Sequence, residues 1–153
     1  MTKISFKDSA FCAVRGLFKG ISSERNIKIQ ILIGGIIIFI SLLLNISKVY
    51  LITIIIVCFL VVILELFNHG FEKFIDLVSP EYNKDFGRVK DAMAGVVLLT
   101  FTMAMIVSIL ILYEPVIKLL EMMSGDIYSA IIIVANIFLI LIVLAVNYIK
   151  NRK

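Results

Sequence analysis

Glu65, Asn68, Glu72 and Asp76 follow directly on an uncharged apolar run, Val49 to Leu64. At about 100° per residue the three carboxylates fall on one stripe of a helix, with Asn68 on its flank. A charged residue in a membrane segment costs at least ~2.5 kcal/mol, and such residues usually mark function. Two or more carboxylates with a lysine nearby suit a metal-bound polyphosphate, because Mg²⁺ takes one or two carboxylates together with phosphate oxygens. Lysine can neutralise phosphate charge during transfer. A carboxylate at lipid depth can accept the proton of a lipid hydroxyl. Neither the pattern GxxxxGK[ST] nor a kinase glycine loop occurs in the chain, so a phosphotransferase here has to be of another kind.

Long apolar helices must position these residues. The chain has 153 residues, 61% of them hydrophobic, which is too apolar for a soluble domain of this length. Four stretches carry no charge: Ile29–Ser47, Val49–Leu64, Ala92–Tyr113 and Ile127–Ile149. Spanning a bilayer takes roughly 20 residues, so the helix of the second stretch must continue through Glu65. Ser79-Pro80 stops it near Val78. At ~1.5 Å of rise per residue, Glu65 lies roughly 24 Å along the span, just inside the edge of a ~30 Å hydrocarbon core. Asp76 is about 16 Å further on, in water. The stripe therefore runs from lipid to solvent.

The expected fold is all-α and membrane-integral. An amphipathic surface helix over 4–22 precedes spans at about 24–47, 49–78 and 88–112, and these form a core of residues 1–112. An outer loop, a fourth span at about 127–149 and a basic tail make up 113–153. Phe11, Val14, Leu17, Phe18 and Ile21 give the surface helix its apolar face. Ser22 or Ser23 could cap the first span. The link around Asn45-Ile-Ser-Lys48 is short enough for an antiparallel hairpin. A polar loop occupies Glu81–Gly87, and Pro115 lies just past the third span. No repeat or linker divides the chain, which reads as one compact membrane domain.

Lys and Arg set the orientation. They cluster before the first span, between the second and third, and after the fourth, while the other two loops hold only Lys48 and Lys118. The positive-inside rule puts both termini and the carboxylate stripe in the cytoplasm. The net charge of +4 needs no nucleic-acid partner, because the basic residues sit where anionic headgroups meet them. The first 28 residues carry six basic residues and no uninterrupted apolar core, unlike a cleaved signal. Cys12 and Cys58 suggest neither a disulfide nor zinc.

The series Glu65-x-x-Asn68-x-x-x-Glu72-x-x-x-Asp76, then Ser79-Pro80-Glu81-Tyr82 and Lys90-Asp91, resembles the signature of the small prokaryotic integral-membrane lipid kinases, diacylglycerol kinase and undecaprenol kinase. Ser23-Glu24-Arg25-Asn26 and the amphipathic N-terminal helix fit as well, and the resemblance covers roughly residues 4 to 112. It implies that Glu65 is the base that activates the lipid hydroxyl. Glu24 and Glu72 would be Mg²⁺ and nucleotide ligands, and Asn68 and Asp76 would line the site. Lys90 and Asp91 would engage ATP, with Glu81 and Tyr82 beside the nucleotide. It also implies a homotrimer with active sites shared between subunits, in the cell membrane. The family has Thr or Ser, Ala and Ile after the asparagine; this chain has His69, Gly70 and Phe71. The run Ala92-Met-Ala-Gly-Val-Val97 resembles the Gram-positive undecaprenol kinase type more than the Gram-negative form, which has a serine near Ala94. Undecaprenol is therefore the favoured acceptor and diacylglycerol the alternative.

Each sharp reading has a plainer one. Glu72 and Asp76 could be a solvated helix end. Lys90 and Asp91 could be an interfacial anchor. His69 is expected to pack or hydrogen-bond rather than to ligate, Gly70 to allow close helix packing, and Asn136 to bond between helices. A transporter would place ionisable residues near the midplane with a polar path to both sides. Here the acids gather on one side. A catalytically dead scaffold would have lost the carboxylate set, which is complete.

Overall fold

The computed structural model describes residues 5–81, 83–125, 128, 129 and 132. Tyr82, almost all of the expected fourth span with Asn136, and the basic tail lie outside the described residues. Among the described residues there are four helices and no strand: α1 (Phe6–Ser23), α2 (Arg25–Leu43), α3 (Lys48–Val78) and α4 (Lys84–Ser124). Arg25–Leu43, Lys48–Val78 and Lys84–Met123 are long and apolar enough to cross a membrane. The chain divides into two compact units, Met1–Ser108 and Ile109–Lys153. The carboxylate stripe belongs to the first.

Helix α1 buries no residue. Phe11, Leu17 and Phe18 stay exposed, as a helix lying on a lipid surface requires. Its end rests on α3: a Cβ on Gly20 would come 2.8 Å from Leu66 Cδ2. One extended residue, Glu24, separates α1 from α2. The N-cap position of α2 is thus Glu24, not Ser22 or Ser23, and its side chain makes no capping bond. The Ser23 hydroxyl instead donates to the Gly20 carbonyl at 3.0 Å.

Helices α2 and α3 form the expected hairpin. Helix α2 stops earlier than expected, because Asn45 takes a left-handed φ of 48°, which an asparagine tolerates at a helix end. Ser47 Oγ then caps α3 by accepting from the Tyr50 N–H. The two helices approach closely where a Cβ on Gly34 would meet Cys58 Cβ at 3.4 Å. Ile27 and Ile54 are fully buried.

Helix α4 begins at Lys84, ahead of the expected start near Arg88, so Lys84–Gly87 are helical rather than loop. Asn83 is the reason, since its Oδ1 accepts the Asp85 N–H at 2.9 Å. Pro115 lies inside the helix, not beyond it. Proline removes one backbone donor, but an apolar helix continues where its next turns remain bonded. Lys118 donates to Glu114 Oε1 at 2.7 Å across that turn, and Gly125, at φ 78°, follows the end.

Candidate active site

One seam of α3 carries both the core and the polar residues. Its buried positions are Ile54, Val57, Val61, Glu65, Asn68 and Ile75, stepping by three, four or seven along a single face. Val57 and Val61 pack against Ala104 of α4, flanked by Phe101 and Val107. Helix α4 answers with small residues at the same spacing, burying Val97, Thr100, Ala104 and Ser108. Glu65 and Asn68 therefore occupy positions that an apolar core would otherwise fill. Each is only 7% exposed.

The polar half of the seam opens on a cavity of about 400 Å³. Glu65, Asn68, His69 and Glu72 of α3 line it, with Glu24, Asn26 and Gln30 opposite. From α4 come Ala94, Val97, Leu98 and Phe101, an apolar wall. Gln30 Nε2–H donates to Glu65 Oε2 at 3.0 Å, and Asn68 Nδ2–H donates to Glu72 Oε1 at 3.1 Å. The His69 ring lies with Nδ1 2.9 Å from Glu24 Oε1 and Nε2 3.3 Å from Ser23 Oγ.

Carboxylates only accept, so each amide must turn its NH₂ toward its carboxylate. The two amide oxygens are left over: Gln30 Oε1 and Asn68 Oδ1 are buried without a partner. Such a group costs about 1–3 kcal/mol when nothing satisfies it. Both residues line the cavity, where a bound cation or hydroxyl could use the spare oxygens. Among the described residues no three His, Cys, Asp or Glu side chains converge as a metal cage. Mg²⁺ held with a nucleotide does not need one. The carboxylates of Glu24 and Glu72, with Asn68 Oδ1, form a hard oxygen set that fits it.

The structure thus brings together Glu24, Glu65, Asn68 and Glu72. Among the described residues, Asp76, Glu81, Lys90 and Asp91 do not line this cavity. Asp76 pairs with Lys90, and Ile75 rather than Asp76 continues the buried seam. Glu81 and Asp91 are exposed. Sequence reasoning passed over Gln30, whose signal was a lone polar side chain in an aliphatic run. The departures at 69–71 separate. His69 turns into the site. Phe71 joins a ladder on α3 with Phe67 and Phe74, ring centroids 6.2 Å apart in each pair. A Cβ on Gly70 would meet nothing within 4 Å among the described residues, so it provides no close helix contact there.

Membrane-length helices around a buried carboxylate and a partly polar cavity define a membrane-embedded protein with a polar pocket. Residues 11–112 match the family model of prokaryotic diacylglycerol kinase, and the chain belongs to that family. No curated protein matches the chain significantly. The family makes the protein a membrane lipid kinase.

Proposed function

We propose that the chain transfers the γ-phosphate of ATP to a membrane lipid alcohol, most readily undecaprenol, at the cytoplasmic face of the cell membrane. The observation that carries this is the setting of Glu65. It is buried in the α3 seam, held by the neutral amide of Gln30, and shares one cavity with Glu24, Asn68 and Glu72.

The lipid hydroxyl donates its proton to Glu65 as its oxygen attacks the γ-phosphorus. The bond to the β-phosphate oxygen breaks and ADP leaves. Gln30 occupies Oε2, which leaves Oε1 as the oxygen that accepts the proton. Glu24 and Glu72 would hold Mg²⁺, which neutralises charge on the phosphates. Asn68 steadies Glu72 and offers its free Oδ1 to the same side.

The acceptor preference is supported by the α4 wall. Ala94, the position at which the Gram-negative form has a serine near, lines the cavity beside Val97 and Phe101, so that wall offers no polar side chain. It suits an isoprenoid better than a glyceride ester. Asp76, Lys90 and Asp91 fall outside the cavity of one chain, which is in keeping with a homotrimer whose sites are shared. The expected result is phosphate transfer to undecaprenol with kcat/KM about tenfold or more above that for diacylglycerol in the same mixed micelles, a difference of ~1.4 kcal/mol. A preference for diacylglycerol would overturn the undecaprenol assignment.

A further inference from the structure

We infer that His69 is a positioning residue that fixes Glu24 as a cation ligand by clamping the junction of α1 and α2 onto α3. The inference rests on the metal reading of Glu24 given above. Glu24 is the single extended residue between the two helices. Glu24 sits at the N-cap of α2, but its side chain makes no capping bond there. Its Oε1 lies instead 2.9 Å from His69 Nδ1, on a helix 45 positions further along the chain. The other ring nitrogen is 3.3 Å from Ser23 Oγ. One imidazole therefore touches two consecutive residues of the junction, one with each nitrogen.

The ring has two consequences for the site. It takes one carboxylate oxygen and leaves Oε2 for a cation. It also removes the rotational freedom of a side chain that is 35% exposed and would otherwise swing into solvent. Hydrogen bonds to a ligating carboxylate commonly change metal affinity by ~10–100-fold when removed. A carboxylate cannot donate, so the contact requires a hydrogen on Nδ1.

The chain has one histidine, so ¹⁵N-histidine labelling reports on His69 alone. In mixed micelles the ring should carry a hydrogen on Nδ1, with or without one on Nε2, and Glu24→Ala should abolish the Nδ1 preference. A wild-type ring protonated only on Nε2 would overturn the inference. A second arm measures Mn²⁺ with ADP by electron paramagnetic resonance. His69→Ala should weaken binding ~10-fold or more, with KM for lipid unchanged. His69→Asn, whose Nδ2 falls near the position of Nδ1, should restore most of it. Equal loss in both variants would assign the residue to packing and overturn the inference, as would no loss in His69→Ala. Absence of Mn²⁺ binding by the wild-type protein would overturn the inference together with the metal reading beneath it. The ring spectrum would then show whether the pairing itself exists.

Discussion

Glu65 is held by a neutral donor. A lysine or arginine in the place of Gln30 would stabilise the charged carboxylate and blunt it as a base. An amide orients it without adding charge, and the 3.0 Å bond leaves one oxygen open. Gln30→Leu should lower kcat about tenfold, since hydrogen bonds to charged groups contribute roughly 1.5–3 kcal/mol. Helical content by circular dichroism should be unchanged, and an unaltered kcat would remove Gln30 from the account. At this scale the sequence was partly legible. The seven- and three-residue intervals joining Glu65, Asn68 and Glu72 were enough to bring them to one cavity. Gln30 carries no formal charge to mark it, yet an amide in an aliphatic helix is costly for the same reason as a charge, only less so. Asp76 was grouped with the stripe by angle alone. A helix end in solvent frees such a residue to find Lys90, and angle cannot report that.

Among the elements, Gly20 and Gly34 allow close approaches to residues far away in sequence. Gly20 lets the end of α1 settle on Leu66. Gly20→Val should destabilise the fold by ~1–3 kcal/mol, as overpacking does. Adding Leu66→Ala should recover part of the loss, because it removes the atom 2.8 Å from the new Cβ. Thermal unfolding in detergent measures both, and strictly additive losses would show that the two residues do not touch. Gly70 looked equivalent from the sequence and is not, since nothing lies near it. The helices themselves were readable from apolar length and from Ser79-Pro80. Their ends were less so. Asn83 starts α4 early and Asn45 ends α2 early through side-chain and left-handed geometry. Pro115 falls inside α4 rather than just past the third span, since a helix tolerates one missing donor when its surroundings are apolar.

For the whole molecule, the family match and the cavity both fall within residues 1–112. Asp76 and Lys90 pair away from that cavity, and the proposed trimer with shared sites would give them a place to act. Such an assembly predicts complementation. Glu65→Gln and Lys90→Met chains, each inactive alone, should recover part of the activity when mixed before assembly in micelles. Mixed particles with no activity above either parent would mean that each chain builds its site alone.

Glu65 is proposed to take the proton of a lipid hydroxyl. Its most direct test is transfer of labelled γ-phosphate from ATP to undecaprenol by purified protein with Mg²⁺, compared with Glu65→Gln. The substitution keeps the size of the side chain and removes its basicity. The account predicts robust transfer by the wild type and a loss of ~10²–10⁴-fold in kcat for the variant, with nucleotide binding retained. Transfer by Glu65→Gln at the wild-type rate would contradict it.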